Sequence, residues 1–241
     1  MHQSDALLRY QVAAATLLLN DLGILGYSGH VAARLPEPET FLIQSFQQSR
    51  STIGPDDLLI CNLDGDVISA PAGLRPPSEI SLHCEIFRAR PDVHAIAHFH
   101  HDLTTAFTLA QGAKLQPVKN HAVRWMNGIP IHPDPSHVST PERGRSLAKT
   151  LGAHHGLLIR AHGQVIVAES VPAVLIDSVH FVENAQAMYD AACLGRVIPL
   201  SEAEMTEFCR DFDRKKHIGK LWEYYVSRGR ASGILPEGWM I

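Results

Sequence analysis

The chain of 241 residues has no long apolar run and no cluster of positive charge. A stretch of about 18 consecutive apolar residues would indicate a transmembrane helix, and none occurs. The net charge is −4 and the lysines and arginines are dispersed, which argues against nucleic acid or a membrane surface as a partner. The first residues lack the charge pattern of a secretion signal, so we predict a cytoplasmic protein.

Cysteine is also scarce, and no two cysteines form a Cys-x-x-Cys pair. The four are Cys61, Cys84, Cys193 and Cys209. Their scatter predicts reduced structural thiols rather than a disulfide framework. Histidine is the abundant exception, with 15 residues. Most of these are expected to be ordinary surface or core residues, so only their placement is informative.

Hydrophobic periodicity and turn residues predict one domain over residues 1–241, with helices and strands interleaved. The predicted helices are Asp5–Leu22, Glu79–Arg90, Asp102–Gln111, Pro141–Leu151, Val171–Leu194 and Ser201–Arg230. The predicted strands are His30–Leu35, Thr40–Ser45, Asp57–Leu63, Asp66–Ser69, Ala95–His100, Gly156–Ala161 and Gln164–Ala168. Ser4, Ser78 and Asp102 are expected to cap the first three helices. This order favours a layered α/β sandwich with a largely antiparallel sheet.

Three histidines at the ends of predicted strands form a candidate metal site. Side chains two apart on a strand point to the same face, so His98 and His100 can bind one divalent ion together. His162 ends another apolar strand. A lone histidine in an apolar run is usually a hydrogen-bonded core residue, but two neighbouring imidazoles on one face each need a partner. His101 points to the opposite face by the same alternation.

Glu79 adds a carboxylate at the start of a predicted helix, although the helix dipole alone also favours an acidic residue there. Three imidazoles, an open metal position and a nearby carboxylate are typical of a lyase or hydrolase centre. His132 and His137 lie in a proline-rich loop. They could line the edge of a pocket, but we interpret them as ordinary loop residues.

Taken in order, these motifs resemble the class II aldolase/adducin family. The resemblance runs from about Asp5 to Gly195 and rests on Ser78-Glu79, His83, Arg90-Pro-Asp-Val93, His98-Phe-His100 and Arg160-Ala-His162-Gly163. It implies a three-layer α/β/α sandwich with a central, largely antiparallel mixed sheet. It also implies a homotetramer with active sites at subunit interfaces and a small-molecule substrate.

The same resemblance assigns roles to individual residues. It implies that His98, His100 and His162 hold one divalent metal ion, commonly zinc, with manganese, cobalt or iron in some branches. Glu79 matches the family's catalytic acid/base. Ser28 and Ser78 stand where the family contacts its substrate.

Two departures separate this chain from the sugar-phosphate aldolases of the family. Those enzymes hold phosphate with a Gly-Asn turn and a Ser-Ser-Glu run. This chain has Gly29-His30 and Pro77-Ser78-Glu79 instead. Proline has no N–H to donate, and a phosphate dianion needs several converging donors. The phosphate cradle is therefore interpreted as degraded.

The turn around His30 is more similar to a branch that decarboxylates hydroxylated aromatic or pyridine carboxylates. His30 is a candidate contact for the departing carboxylate or the ring hydroxyl. Arg50 is a candidate carboxylate clamp, since guanidinium matches carboxylate bidentately. An exposed loop arginine is the alternative interpretation of Arg50.

The C-terminal segment of about residues 201–241 carries several aromatic residues, including Trp222 and Tyr225. Exposed aromatic residues at a chain end indicate contact with another surface, although packing on the chain's own core is the alternative. The family resemblance favours a neighbouring subunit. It makes Tyr225 a candidate catalytic residue whose hydroxyl closes the adjacent active site.

The sequence therefore predicts a metal-dependent carbon–carbon lyase, and most specifically a decarboxylase of a dihydroxyphthalate-like or hydroxypyridine carboxylate. The first alternative is a class II aldolase that cleaves a sugar-derived or hydroxy-acid substrate. An iron-dependent oxygenase and a non-catalytic adducin-like scaffold are further alternatives. Retention of Glu79 and of all three histidines counts against the scaffold.

Overall fold

The computed structural model describes residues 5–37 and 39–241, which contain seven helices and eight strands. The helices are α1 (Asp5–Asp21), α2 (Ile80–Ala89), α3 (Asp102–Ala106), α4 (Pro141–Leu151), α5 (Val171–Leu194), α6 (Glu202–Asp211) and α7 (Arg214–Ala231). The strands are β1 (His30–Arg34), β2 (Thr40–Ile43), β3 (Leu59–Asn62), β4 (Val67–Ser69), β5 (Ala95–Phe99), β6 (Ile131–His132), β7 (Gly156–Ile159) and β8 (Gly163–Ala168). Two short 3₁₀ helices cover Pro55–Asp57 and Asn120–Trp125.

All eight strands join one sheet in the order β4-β3-β2-β1-β5-β8-β7-β6. Neighbouring strands are antiparallel except for β6 and β7, which are parallel. The predicted mixed, largely antiparallel sheet is confirmed. Among the described helices, none is both long and apolar enough to span a bilayer.

Helices cover both faces of this sheet and create two apolar cores. On one face α1, α5 and α7 pack together, and buried side chains such as Leu18, Val174 and Trp222 fill the space against the sheet. On the other face α2 packs on α4 around Leu82 and Leu147. Full burial of one such side chain stabilises the fold by roughly 1.5–3 kcal/mol. The predicted three-layer α/β/α sandwich is confirmed.

Several predicted helix boundaries are wrong, and polar side chains explain part of the difference. The long C-terminal helix predicted over Ser201–Arg230 breaks after Asp211, because the Asp213 side chain accepts the backbone N–H of Lys216 and starts α7 afresh. Ser201 caps α6 in the same manner, by accepting the N–H of Glu204.

The predicted caps of α2 and α3 are also wrong. The cap position of α2 is Glu79 rather than Ser78, and that of α3 is His101 rather than Asp102. Neither cap residue bonds its helix through its side chain. The predicted cap Ser4 lies outside the described residues.

The strands differ from prediction mainly at their ends. Strand β5 ends at Phe99 and β7 ends at Ile159, so His100 and His162 follow their strands instead of closing them. The two-residue strand β6 was not predicted, because Ile131 and His132 sit in a proline-rich segment with no alternating pattern. Its pairing with β7 is a tertiary effect.

The packing of α4 on α2 depends on Gly144. A Cβ at this position would lie 2.5 Å from the Ser81 carbonyl oxygen and 2.7 Å from Cγ of Glu85. We expect Gly144→Ala to lower the free energy of unfolding by about 1–3 kcal/mol, because the two helices must separate. Chemical denaturation at fixed protein concentration measures this.

Gly219 in α7 provides the matched control, since a Cβ there meets no atom within 4 Å. Gly219→Ala should stabilise the chain by about 0.5–1 kcal/mol through helix propensity. A Gly144→Ala protein as stable as Gly219→Ala would contradict the close-packing account.

Candidate active site

The three predicted metal-binding histidines meet at one end of the sheet. Antiparallel pairing sets Phe99 of β5 opposite Gln164 of β8, so the end of β5 lies beside the turn that precedes β8. The ring centroids are 4.7 Å apart for His98 and His100, 5.0 Å for His100 and His162, and 5.3 Å for His98 and His162. Residues 62 or more positions apart in the sequence are therefore brought together, as the sequence predicted.

Glu79 reaches the same point from the start of α2. Its Oε2 lies 3.3 Å from Nε2 of His98, and its Oε1 lies 3.5 Å from Nε2 of His162. Oε1 also accepts the backbone N–H of Val138 at 2.9 Å. One ligand atom from each of Glu79, His98, His100 and His162 lies within 4.8 Å of the others. Because Glu79 bonds Val138 and not its own helix, helix capping does not explain this buried carboxylate.

The protonation pattern fits a divalent metal ion. Nδ1 of His98 lies 2.9 Å from the carbonyl oxygen of Gln164, so we place the proton there and leave the Nε2 lone pair toward Glu79. That Nε2 is buried and has no hydrogen-bond partner among the described residues. Nδ1 of His100 is held by the Ser28 hydroxyl at 3.0 Å. A buried ring nitrogen that faces a carboxylate and has no hydrogen-bond partner is the arrangement expected of a metal-binding histidine.

Burial keeps the imidazole of His100 neutral. Desolvation, with help from neighbouring His98 and His162, lowers the pKa of His100 to about 3. Neutral imidazole is the form that binds metal, so protons do not compete for this ligand near neutral pH. Three imidazole nitrogens and one carboxylate suit zinc, and also iron or cobalt.

Glu79 is ionised in this setting. Burial alone would raise its pKa, but hydrogen bonding, which in the tautomer assigned above comes from the backbone N–H of Val138, holds the pKa below its ordinary value. Before substrate binds, the carboxylate of Glu79 is therefore in its ionised form, which can accept a proton.

Two glycines allow the strands to approach closely at the site. Gly29 has φ +110°, and a Cβ there would lie 2.8 Å from the carbonyl oxygen of His98. At Gly163 a Cβ would lie 2.5 Å from the carbonyl oxygen of Phe99. Before His162, Ala161 adopts φ +54°, a left-handed conformation that costs free energy in any residue with a Cβ. The turn that presents His162 is thus held by its surroundings.

His30 extends the cluster away from the metal position. It pairs with His98 across β1 and β5, and their ring centroids are 5.5 Å apart. Its Nδ1 lies 3.4 Å from Nε2 of His83, a fully buried residue of α2. Desolvation, followed by repulsion from His83, lowers the pKa of His30 well below its usual value. Desolvation likewise lowers the pKa of His83 to about 3.

Arg50 is buried, so its interpretation as an exposed loop arginine is wrong. Its Nε donates to the Gly29 carbonyl at 3.1 Å, and its Nη1 donates to the carbonyls of Ser45 and Gln48. These bonds brace the turn that carries His30. The carboxylate clamp stays a prediction. Among the described residues no group accepts a hydrogen bond from Nη2, which leaves one nitrogen for such a role.

The remaining predicted site residues occupy different positions. Ser28 orients His100, and Ser78 is an exposed neighbour of Glu79. Tyr225 lies on α7, half-buried, with its ring 5.1 Å from that of Tyr224. Substrate contacts by Ser28 and Ser78, and catalysis by Tyr225, stay predictions.

Sequence reasoning missed the loop that closes over Glu79. Val138 supplies the N–H to Glu79, and the ring of the exposed His137 stacks on His162 with centroids 5.6 Å apart. His137 therefore lines the site, contrary to its interpretation as an ordinary loop residue. His132 instead is buried and contacts the Thr150 hydroxyl at 3.0 Å. The only signal in the sequence was histidine in a proline-rich loop, which does not separate the two.

Residues 10–189 match the family described as Class II Aldolase and Adducin N-terminal domain, so the chain belongs to this family. A 3,4-dihydroxyphthalate decarboxylase of Rhodococcus jostii is 26% identical over 231 residues, which cover 90% of this chain and 91% of that protein. Decarboxylase NovR of Streptomyces niveus is 32% identical over 190 residues, covering 75% and 68%. The predicted family and the predicted class, a metal-dependent lyase enzyme, are confirmed.

Solved structures agree on the fold. An L-fuculose 1-phosphate aldolase from Glaciozyma antarctica PI12 superposes with a TM-score of 0.83 at 20% identity, covering 95% of this chain and 90% of that one. At this identity the likeness describes the architecture alone.

Removal of either of two ligands should remove a metal ion. We expect His98→Ala and His162→Ala to bind one divalent ion fewer per chain than the parent protein, because two imidazoles and a carboxylate hold the ion more weakly. Elemental analysis after dialysis measures this, and circular dichroism checks the fold. His94→Ala, at an exposed position on the preceding loop, is the control and should keep full occupancy. Unchanged metal content in His98→Ala would refute the assignment.

Proposed function

We propose that the chain is a metal-dependent decarboxylase of a hydroxylated aromatic carboxylate, either dihydroxyphthalate-like or a hydroxypyridine acid. The observation that carries this is the position of His30, a neutral buried imidazole beside the Glu79 and histidine cluster. The curated relatives named as decarboxylases support the same reaction.

The donors around the site suit a planar carboxylate better than a phosphate dianion. Pro77 has no N–H, and Nδ1 of His30 is occupied by His83. The Nε and Nη1 groups of Arg50 are used by backbone carbonyls. A phosphate needs several converging donors, whereas a carboxylate can be held by one or two.

A divalent ion held by His98, His100 and His162 would supply a Lewis acid that stabilises negative charge developing on the substrate. Glu79, ionised at rest, accepts the proton of the substrate hydroxyl. The carbon–carbon bond then breaks, CO2 leaves, and the electron pair of that bond stays on the ring. Glu79 returns its proton to the ring carbon that lost CO2. The phenolate oxygen takes its proton back from water as the product leaves.

His83 sets the role of His30 in this scheme. Nδ1 of His83 is buried and finds no acceptor among the described residues, so its proton is assigned to Nε2, which donates to Nδ1 of His30. His30 then carries its own proton on Nε2. That N–H is available to the substrate hydroxyl or to the carboxylate that departs.

Side-by-side turnover with the metal-loaded protein tests the proposed reaction. We expect CO2 release from dihydroxyphthalates or hydroxypyridine carboxylates, and negligible cleavage of fuculose or ribulose phosphates. Efficient cleavage of a sugar phosphate with no CO2 from any aromatic acid would establish the aldolase alternative. Oxygen consumption during turnover would instead identify an oxygenase.

Glu79→Gln keeps the shape of the side chain but cannot carry a proton. We expect turnover to fall by ~100-fold or more, in line with the loss of a general acid–base group. The matched control is Glu85→Gln, which changes another buried carboxylate of α2 that pairs with Arg88. Activity per folded molecule should survive in that control. Near-normal turnover in Glu79→Gln would show that a group other than Glu79 transfers the proton.

We further propose that the chain folds as one domain and assembles as a homotetramer with active sites between subunits. Tyr27, one residue before Ser28, is 95% exposed, and Leu194 is 91% exposed. Large exposed apolar side chains are available for contact with a neighbouring subunit. In this arrangement the hydroxyl of Tyr225 reaches the active site of the adjacent subunit.

Hybrid assembly tests the shared site. Tyr225→Phe and Glu79→Gln should each be weakly active alone. In mixed tetramers about a quarter of sites would combine an intact Glu79 with a neighbour's intact Tyr225, so activity should rise above the mean of the two variants. Light scattering checks the assembly. Full activity of Tyr225→Phe, or an active monomer, would exclude the proposal.

A further inference from the structure

A second cluster of histidines shares no residue with the active site. His121 lies in the 3₁₀ helix Asn120–Trp125, His180 lies on α5, and His217 lies on α7. The rings of His121 and His180 are nearly parallel, with centroids 4.0 Å apart, and the rings of His180 and His217 are 5.3 Å apart. Three elements that are distant in the sequence thus each contribute one imidazole ring to the cluster.

Two ring nitrogens of this cluster find no hydrogen-bond partner in the described part of the chain. Nε2 of His121 and Nε2 of His217 are buried and have no hydrogen-bond partner among the described residues. Buried polar atoms in folded proteins nearly always have a partner, so such orphans call for a ligand. The three rings also line a cavity of about 200 Å³. Space for a ligand is therefore present beside the unpaired nitrogens.

We propose that His121, His180 and Glu183 form a second divalent transition-metal site. One ligand atom from each of the three lies within 4.8 Å of the others. Two imidazoles and a carboxylate are a common donor set for zinc and similar ions. Ligands of one tetrahedral ion lie about 3.4 Å apart when each bond is about 2.1 Å long. Closure by up to about 1.4 Å and rotation of one stacked ring complete the site.

The charges around the cluster favour a metal over a protonated histidine pair. Two imidazolium rings stacked at 4.0 Å would repel each other. Burial, reinforced by neighbouring positive groups, lowers the pKa of His121 to about 4 and that of His180 to about 3. Both rings are neutral near pH 7 and offer lone pairs.

Lys119 is the one competing cation in contact with Glu183 in the described part of the chain. Its Nζ lies 3.1 Å from Oε2 of Glu183, the same oxygen that lies 3.7 Å from Nε2 of His121. Lys119 is 39% exposed, and an ion pair at a surface contributes little. The ammonium group can therefore turn to solvent when an ion binds Glu183.

The backbone around the proposed site is already fixed. The Asn184 side chain accepts the N–H groups of Val118 and Lys119 at 2.9 and 3.2 Å, which docks the segment before His121 onto α5. An ion bridging His121 to α5 would fasten the same two elements a second time. The site is thus structural in character, and its occupancy should raise the thermal midpoint.

Metal counting on the full-length protein tests this. Protein stripped with a chelator is reloaded with Zn²⁺, dialysed and analysed by mass spectrometry. We expect about two Zn²⁺ per chain in the parent, about one in His121→Ala, about one in His98→Ala and none when both changes are combined. The exposed His94→Ala should retain two. The thermal midpoint of the parent should rise on reloading by more than that of His121→Ala.

Some outcomes would overturn the second site. The second site is refuted if the parent binds only one Zn²⁺ per chain and His98→Ala binds none. It is also refuted if His121→Ala still binds two Zn²⁺ per chain. If His121→Ala misfolds by circular dichroism, His121→Gln keeps the volume of the side chain and removes a good ligand, and the same counts decide. Failure of the proposed decarboxylase leaves these counts unchanged, so the two proposals are tested separately.

Discussion

The antiparallel register between β5 and β8 is the constraint on which the active site depends. It sets Phe99 opposite Gln164, and so places His98 and His100 beside the turn that carries His162. A slip of one residue would turn His98 to the other face of the sheet and move it away from Glu79. The close approach is possible because Gly163 leaves room for the carbonyl of Phe99. Strand pairing therefore controls whether the four ligand atoms converge at all.

Burial supplies the electrostatics that this geometry requires. The imidazole of His100, which would titrate near pH 6.5 in water, is held neutral because burial lowers its pKa to about 3. Glu79 escapes the usual effect of burial because the backbone N–H of Val138 stabilises its negative charge. A site that places the neutral imidazole of His100 beside an ionised carboxylate suits a cation.

Much of this arrangement could be predicted from the sequence, and the parts that could not are tertiary. His98 and His100 were predicted from strand alternation, a local property. Strand β6 and the loop carrying Val138 were missed, because a two-residue strand has no periodicity and a backbone N–H leaves no mark in the sequence. The burial of Arg50 was missed for the same reason: the carbonyls that it bonds are set by the path of the chain.

Different parts of the fold carry the candidate metal ligands and the residues next to the turn at 26–29, and this separation has an evolutionary consequence. The candidate metal ligands and Glu79 are fixed by sheet register and by a helix start. Ser28 instead enters from the turn, and His30 begins β1 directly after Gly29, whose carbonyl accepts a hydrogen bond from Arg50. Under the proposed function, a substitution at His30 would alter what the pocket recognises while its backbone stays paired with β5. New substrate ranges can thus arise by single replacements on an unchanged reaction centre. A family built in this way can diversify its metabolism while keeping its chemistry.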